Sequence, residues 1–384
     1  MSTIPESLEF VLMRGGTSKG VFLRQGDVPR DRAALQALLL DIFGSPDRRQ
    51  IDGLGGADKL TSKAAIIGPP TRPDTDVTYL FGQVGILAAE VDFNLNCGNL
   101  TAAVGVYAIQ QGLVAAREGT TTVRVHNVNT DRVVHVLVPV RDGTVRTEGP
   151  FSIGGVPGTG AAIGLDFSRA VGAITGRLLP LESARSRIAV PQAGEFEVSV
   201  VDGANLVVYA QARDFGLTGI EDPAAIDGDT ALRGRMDAVR RHVAHSVGLE
   251  DYFDARSAPS TPMLVLLRQP HDYRSCTDSA VVPAAAQDLV CRQYASGSVS
   301  KTLAATVTAT TGMACGIAGS LPARLLARRH EGGMLAFGHP SGLIHVDARV
   351  ASGADGWSVE RAIIQRTARR LAEGRVYLHA EARP

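Results

Sequence analysis

The sequence has no excess of either charge, since its 384 residues carry 39 Lys and Arg against 39 Asp and Glu. Proteins that bind nucleic acid or an acidic membrane surface usually carry a basic excess that displaces counterions from the polyanion. The balance therefore excludes a polyanion as the default partner and favours a small molecule or another protein. Aromatic residues are also few, at 5%, so Val, Leu, Ile and Ala must supply most of the interior.

Cysteine is scarce as well, and its spacing excludes two classes of protein. The cysteines are Cys97, Cys276, Cys291 and Cys315. No two of them form a CxxC pair, which argues against a disulfide framework and against a zinc knuckle. The N-terminus has no basic segment followed by an apolar core, so no secretory signal is predicted and we expect a cytoplasmic protein.

Charged residues are absent from two long segments, residues 93–116 and 302–323, so these segments could be mistaken for membrane spans. Both are too rich in Thr, Asn, Gln and Gly to suit the hydrocarbon of a bilayer, and a helix that is apolar on every side can instead be the buried axis of a domain. We therefore predict no membrane span and two buried helices, near residues 98–114 and 301–318. Each follows a series of strands, and the chain is long enough for two domains.

These patterns predict an α+β protein of two similar lobes, residues 1–183 and 184–384, with a cleft between them. Two strands near residues 8–13 and 21–23 should form a hairpin around a glycine-lined turn. The apolar spacing predicts a surface helix over residues 230–247. A last helix should begin at Ser358 and end at Gly374, with its arginines Arg366, Arg369 and Arg370 on a solvated face.

The hairpin turn Gly16-Thr17-Ser18-Lys19-Gly20 formally matches the G-x-S-x-G nucleophile elbow. An elbow requires a helix after the serine, whereas a strand is predicted here, and a phosphate loop requires Gly directly before the Lys. Backbone N–H groups, two hydroxyls and a Lys at one turn suit the binding of a carboxylate. The alternative is a hairpin turn that needs glycine only for its dihedral angles.

Asn96-Cys97-Gly98-Asn99 stands at the predicted start of the first buried helix. The positive end of the helix dipole stabilises a thiolate there, and free N–H groups can hold an anion. A buried, inert Cys beside a turn is the alternative. Lys63, which follows Ser62 at the mouth of an apolar strand, is either a partly desolvated base or a side chain that extends to solvent.

Two further groups have simpler interpretations. His242 and His245 share a helix face, but no third ligand is in view, so we predict a solvated face and no metal site. Cys315 lies well inside the second buried helix and is predicted to belong to the core. The sequence contains no HExxH motif and no dinucleotide-binding fingerprint.

Five short motifs, in order, together resemble the PrpF family. They are Met13-Arg14-Gly15-Gly16-Thr17-Ser18-Lys19-Gly20, the Gly-Gly-Ala to Thr-Ser-Lys run ending at Lys63, Asn96-Cys97-Gly98-Asn99, His339-Pro340-Ser341-Gly342 and Arg366-Thr367-Ala368-Arg369. The family includes 2-methylaconitate cis-trans isomerases, 4-oxalomesaconate tautomerases and 3-methylitaconate isomerases. The resemblance covers essentially the whole chain.

The resemblance implies the diaminopimelate-epimerase-like fold, in which each of two lobes wraps a β-barrel-like sheet around a central helix. It also implies a cofactor-free proton transfer between carbons of an unsaturated di- or tricarboxylate, with Lys63 as the acid/base and Cys97 as the active-site thiol. A C-terminal tail that returns to the first lobe and a homodimer are further expectations. The predicted substrate-binding residues are Arg14, Thr17, Ser18, Lys19, Ser62, Asn96, Gly98, Asn99, Lys301, His339 and Ser341.

Two alternatives stay open at this point. One is an amino-acid or hydroxyproline epimerase of the same fold, although such two-cysteine enzymes need a Cys near Ser300-Lys301, where none stands. The other is a non-catalytic protein that binds aconitate-like ligands. The segment at residues 179–183 departs from the Pro-(Ser/Thr)-Gly-Asn turn of many members, so the resemblance does not extend to any substrate contact made by that turn.

Overall fold

The structure is a computed structural model that describes residues 6–93, 97–172, 174–256, 258–326, 328–353 and 356–379. The chain divides into two units. The first unit is Met1–Leu165 with Gln365–Pro384, and the second unit is Asp166–Ile364. The second unit begins at Asp166, earlier than the boundary predicted between residues 183 and 184. The C-terminal residues from Gln365 onward belong to the first unit.

The described helices and strands follow one another in an α+β order. The helices are α1 Arg32–Phe43, α2 Gly98–Gln110, α3 Pro223–Gly228, α4 Thr230–Ser246, α5 Glu250–Asp254, α6 Ala305–Gly316 and α7 Leu321–Leu325. The strands are β1 Ser7–Gly15, β2 Ser18–Arg24, β3 Lys63–Gly68, β4 Val77–Val84, β5 Val91–Asp92, β6 Gly119–Asn127, β7 Arg132–Arg141, β8 Thr144–Val145, β9 Ile163–Asp166, β10 Ser186–Val190, β11 Gly194–Asp202, β12 Leu206–Gln211, β13 Met263–Arg268, β14 Tyr273–Arg274, β15 Val281–Val282, β16 Leu289–Ala295, β17 Ser298–Val299, β18 Gly333–His339, β19 Gly342–Gly353, β20 Gly356–Arg366 and β21 Ala368–Tyr377.

In the first unit, a sheet surrounds helix α2. Its strand order is β21–β1–β2–β3–β4–β6–β7, in which β2–β3 and β4–β6 are parallel and the other neighbours are antiparallel. Helix α2 contacts β1, β2, β3, β6, β7 and β21, and nearly all its residues are buried. Gly105 allows this packing, because a Cβ there would lie 2.5 Å from Val136.

The second unit has the same arrangement around helix α6. Its strand order is β10–β11–β12–β13–β16–β18–β19–β20, with β12–β13 and β16–β18 parallel and the others antiparallel. Helix α6 is buried along its length. Its threonines tolerate this burial because Thr308, Thr310 and Thr311 donate their hydroxyls to backbone carbonyls four residues earlier.

The two units therefore repeat one plan that the sequence does not show as a repeat. In each unit, an outer helix lies in the chain between the two strands of the first parallel pair: α1 between β2 and β3, and α4 between β12 and β13. The central helix lies between the two strands of the second parallel pair: α2 between β4 and β6, and α6 between β16 and β18. The predicted fold class of two similar lobes, each with a sheet around a central helix, agrees with this plan.

The predicted last helix is wrong, because residues 358–366 belong to strand β20 and residues 368–374 to strand β21. The i, i+4 spacing of Ile363, Thr367 and Leu371 suggested a helix. Burial in β20 instead alternates from Ala362 onward, with Ala362, Ile364 and Arg366 buried, which is the period of a strand. Gly374 lies within β21, which pairs with β1.

Smaller corrections concern element ends. The hairpin turn is limited to Gly16 and Thr17, so Ser18 and Lys19 already belong to β2. Helix α6 begins at Ala305 instead of near 301, because the Lys301 carbonyl accepts hydrogen bonds from Ser341 that hold this segment outside the helix. The surface helix is confirmed as α4, which buries Leu232, Met236, Val239 and Val243. Among the described residues, no helix has the length and apolar content that a bilayer span requires.

Candidate active site

Lys63 is the first residue of β3, a strand in which every residue is buried. The Lys63 side chain is also buried, with 7% of the residue exposed. Its Nζ donates a hydrogen bond of 2.6 Å to Oε1 of Gln83, the residue directly opposite on β4. Nζ also lies 5.0 Å from the centre of the Phe81 ring. A lysine amine is thus fixed inside the first unit and does not extend to solvent.

Gln83 is itself held by the backbone that leads into β3. Its Nε2 donates to the carbonyl of Ser62 at 3.0 Å and to that of Lys59 at 3.2 Å. Because both carbonyls require a donor, the amide has one orientation, with its oxygen toward Lys63. Gln83 is not among the site residues predicted from the sequence. A signal existed, since Gln83 is the polar residue on the same strand face as Phe81.

Cys97 occupies the N-cap position of α2, where its side chain forms no capping hydrogen bond, and it is 8% exposed. Its Sγ lies 3.8 Å from Oγ of Ser18, the first residue of β2, which is also buried. The predicted position of Cys97 at a helix start is therefore correct. The first N–H groups of a helix have no intrahelical partner, and Gly98 opens this helix, so Cys97 lies at a site suited to an anion.

Asn99 joins the first turn of α2 to two other segments. Its Nδ2 donates to Thr17 Oγ1 at 3.0 Å, and its Oδ1 accepts from Arg366 Nε at 2.9 Å. The Gly15-Gly16 pair makes this possible, because a Cβ on Gly16 would lie 2.5 Å from Asn99 Oδ1. Gly16 also has a φ of 52°. Glycine is thus needed at this turn for both space and conformation.

Arg366 is buried, with 5% of the residue exposed, which corrects the prediction that it lies on a solvated face. Besides Asn99, it donates to the carbonyl of Gln365 at 3.0 Å. Burial lowers the pKa of its guanidinium to about 10, so the group is still charged at neutral pH. The error follows directly from the helix predicted over this strand.

Arg14 is a second guanidinium of the first unit that is fixed by neutral acceptors. Its Nη1 donates to the Gly16 and Thr367 carbonyls, both at 2.9 Å, and to Thr367 Oγ1 at 3.0 Å. Burial, with the nearby charge of Arg369, lowers its pKa. Among the described residues, neither Arg14 nor Arg366 forms an ion pair with a carboxylate.

Three other predicted site residues have different surroundings. Lys19 is half-buried on β2, and its N–H donates to the Leu60 carbonyl at 2.9 Å. The Ser62 hydroxyl is fully buried and donates to Gln50 Oε1 at 2.6 Å, so a structural bond already occupies it. Asn96 lies outside the described residues.

The remaining predicted residues form a separate group within the second unit. Ser341 donates to the Lys301 carbonyl through both Oγ, at 2.8 Å, and N–H, at 3.0 Å. Its N–H also lies 3.2 Å from His339 Nδ1. His339 is buried and Lys301 is exposed. Their roles as substrate-binding residues stay predictions.

Cys315 is buried in α6, as predicted. Burial raises the pKa of its thiol, and neighbouring Cys291 and Asp288 raise it further. The residue that precedes α6 is Ala304, so no thiol stands at the start of this helix. Within the described ranges, no three His, Cys, Asp or Glu side chains lie together as a metal site would require.

Comparison with known proteins gives relatives over nearly the whole chain. The 3-methylitaconate isomerase of Eubacterium barkeri is 41% identical, covering 96% of each chain. The 4-oxalomesaconate tautomerase of Pseudomonas putida is 38% identical, over 95% of this chain and 94% of that protein. The 2-methyl-aconitate isomerase of Shewanella oneidensis is 36% identical over 94% of both.

Solved structures agree with these relatives. The crystal structure of a methylitaconate-delta-isomerase matches with a TM-score of 0.87 and 40% identity, covering 98% of this chain and 97% of that one. A hydroxyproline epimerase from Agrobacterium vitis matches with a TM-score of 0.54 at 12% identity, covering 98% of this chain and 94% of that one, which shows the fold alone. The predicted fold and the predicted isomerase class are confirmed. The family described as PrpF protein matches residues 6–379, and the chain belongs to this family.

Proposed function

We propose that this protein is a cofactor-independent isomerase that moves a proton between two carbons of an unsaturated di- or tricarboxylate. The observation that carries the proposal is the pair Arg14 and Arg366, which lack a carboxylate partner among the described residues. Arg366 is buried and Arg14 is half-buried. A poorly solvated charge without a counter-ion is costly, so the two guanidinium groups favour the binding of an anion. The names of the three relatives, all of which act on unsaturated acids, support the same substrate class.

The reaction begins with removal of a proton from a carbon that lies next to a C=C bond. The electron pair left behind spreads through the double bond onto carboxylate or keto oxygens and forms a dienolate. Return of a proton at the far carbon completes the shift of the double bond. Groups that stabilise the oxygens in this state supply the largest part of such catalysis.

The site residues of the first unit have the following roles in this proposal. Lys63 takes the proton as a neutral amine and returns it at the far carbon. Arg14, Arg366 and the N-terminus of α2 at Gly98 bind the carboxylates. Cys97 lies at that helix terminus, where it serves as a second proton carrier or shapes the pocket.

The experiment is a panel of 3-methylitaconate, 2-methyl-trans-aconitate, 4-oxalomesaconate and trans-aconitate, followed by NMR in D2O. We expect a new double-bond position in at least one acid, and deuterium at the carbon that receives the proton. Retention of the original proton in the product would indicate that Lys63 carries that proton across. No isomerisation of any of the four acids would contradict the proposal.

Lys63→Met tests the residue assignment, and Lys59→Met is its matched control. Both lose an ammonium group, but the Lys59 side chain is exposed and only its backbone carbonyl contacts Gln83. We expect kcat to fall by about 10²-fold or more in Lys63→Met, as for a positioned acid/base, and to stay near wild type in Lys59→Met. Wild-type turnover in Lys63→Met would overturn the role of Lys63.

The partners also belong to this proposal. A small polycarboxylate needs no basic surface, in keeping with the balanced charge of the sequence. A homodimer, a cytoplasmic location and the lack of a nucleic-acid or membrane partner stay predictions. Light scattering of the purified protein tests the homodimer.

A further inference from the structure

Gln83 is the one neighbour of Lys63 whose side chain accepts a hydrogen bond from Nζ among the described residues, at 2.6 Å. Its amide cannot rotate without losing the bonds to the Ser62 and Lys59 carbonyls, which both require an N–H donor. The Lys63 amine therefore always faces the amide oxygen of Gln83 and never its NH2 group. The side chain of Gln83 acts as a fixed acceptor.

A fixed acceptor restricts the geometry of an amine. One N–H of Lys63 must point to Gln83, so the lone pair of the neutral amine, or the remaining protons of the ammonium, point elsewhere. Phe81 restricts Nζ from a second direction, with its ring centre at 5.0 Å. Lysine has a long, flexible side chain, and these two contacts remove much of its freedom.

The register of strands β3 and β4 fixes Gln83 beside Lys63. Lys63 pairs with Gln83 across the antiparallel β3–β4 ladder, and Ala65 pairs with Phe81. Gln83 pairs with Asp92 of β5 on its other side. A slip of one residue would move Gln83 to the opposite face of the sheet. The position of Gln83 is thus set by backbone pairing on both edges of β4.

We propose that Gln83 is a positioning residue that aims Lys63 and sets how readily it exchanges its proton. The inference rests on the proposed function of Lys63 as the acid/base. Gln83 itself exchanges no proton, since an amide oxygen accepts a hydrogen bond without becoming protonated at neutral pH.

Two substitutions test the role with opposite expected effects. Gln83→Leu removes the acceptor, and we expect kcat to fall by about 10- to 100-fold with little change in KM, because misplaced catalytic groups lose rate before affinity. Its pH profile of kcat/KM should move to lower pH, because a hydrogen bond that favours the ammonium form is gone. Gln83→Glu places a negative charge beside Nζ, so its profile should move to higher pH.

The other titratable groups on the elements that pack against Lys63 and Gln83 cannot produce opposite shifts. They are Lys19 on β2, Lys59 in the preceding loop, Cys97 at the start of α2 and Asp92, which pairs with Gln83 on β5. Both variants leave these groups unchanged. Gln287→Leu is the matched control for folding, because the buried Gln287 also donates its amide to two backbone carbonyls, those of His271 and Pro283. Equal changes in Tm for the two Leu variants would exclude a special loss of stability at Gln83.

A second measurement is independent of any substrate. The rate at which acetic anhydride labels Lys63, followed by peptide mass spectrometry across pH, reports the reactivity of its amine. We expect the midpoint of labelling to move in opposite directions in Gln83→Leu and Gln83→Glu. Shifts in labelling with no turnover by wild-type protein would reject the proposed function and retain the contact.

The proposal is overturned if wild type is active but both variants keep its kcat and its pH profile. It is also overturned if the labelling midpoints of the two variants match that of wild type. Gln83→Glu keeps the size of the side chain but, like Gln83→Leu, loses the N–H bonds to the Ser62 and Lys59 carbonyls. The labelling midpoint of whichever variant keeps a Tm near that of wild type therefore decides the proposal.

Discussion

Arg366 and Asn99 are 267 residues apart in sequence, and Nε of Arg366 lies 2.9 Å from Oδ1 of Asn99. Asn99 in turn donates a hydrogen bond from Nδ2 to Oγ1 of Thr17. One chain of hydrogen bonds thus joins the end of β20, the first turn of α2 and the β1–β2 turn. The conformation of the guanidinium is fixed before any ligand binds, which lowers the entropy cost of binding a carboxylate.

Arg366→Met should weaken substrate binding. Loss of a charged hydrogen bond is worth about 1.5–3 kcal/mol, so we expect KM to rise by about 10- to 100-fold. The rise in Tm caused by a bound polycarboxylate should disappear as well. Arg361→Met is the control, because this arginine lies on the same strand but pairs with Asp347 at 3.0 Å. Equal KM values for the two variants would contradict a role of Arg366 in binding.

Gly16→Ala should cost more than the conformation alone. A left-handed φ costs an alanine about 1–2 kcal/mol, and here the new Cβ would also lie 2.5 Å from Asn99 Oδ1. Gly143→Ala is a matched control, since Gly143 has a φ of 70° and open space around it. We expect both variants to lose stability in urea unfolding, and Gly16→Ala alone to lose activity. Activity lost equally in both would show that the Asn99 contact is irrelevant.

Tyr79→Phe should stabilise the protein, whereas Tyr209→Phe should destabilise it. Both rings are fully buried, but the Tyr79 hydroxyl has no partner among the described residues, while that of Tyr209 lies 3.1 Å from Thr311 Oγ1. An unpaired buried hydroxyl costs about 1–3 kcal/mol, and a paired one contributes about 1 kcal/mol. Urea unfolding of the two variants measures the difference. A loss of stability in Tyr79→Phe would reveal a partner for that hydroxyl.

His379 should make stability depend on pH. Its Nδ1 pairs with Asp41 and its Nε2 lies 3.2 Å from Asp52. The hydrogen bond to Asp41 and then the charges of Asp41 and Asp52 raise the pKa of His379. A raised pKa in the folded state means that its stabilising effect is complete below the unfolded-state pKa, and is lost as pH rises through the folded-state pKa.

His379→Gln should therefore remove part of the fall in unfolding free energy between mildly acidic and alkaline pH. Asp41→Asn should reproduce the effect, since it removes the carboxylate that contributes most. Unfolding in urea at several pH values provides the measurement. A pH dependence that is identical in wild type and His379→Gln would show that the pair contributes nothing.

The positions of Lys63 at a strand start and of Cys97 at a helix start follow from local signals in the sequence, whereas their roles in catalysis are implied by the family resemblance and stay predictions. Lys63 opens an unbroken apolar run, and Cys97 stands before the small-residue sequence of α2. These signals lie within a few residues of the side chains that they concern. The two central helices were recognisable for the same reason, although their ends were not.

The burial of Arg366 and the contact of Gln83 with Lys63 were not predicted, because both depend on distant partners. The helix predicted over residues 358–374 ignored β1, whose pairing with β21 decides the strand conformation of residues 368–377. Gln83 contacts Lys63 only because the β3–β4 register sets the two residues opposite each other. Neither partner can be read from the local sequence, because strand pairing is a tertiary property.

The pairing of β1 with β21 also sets the order in which the protein can be completed during synthesis. The second unit is continuous from Asp166 to Ile364, so all its strands have been made before β21 is synthesised. The first unit must keep one edge of β1 open until Ala368–Tyr377 leaves the ribosome. An open strand edge invites wrong pairing. The first unit, although most of it is made first, can thus complete its sheet only after the whole second unit has been synthesised.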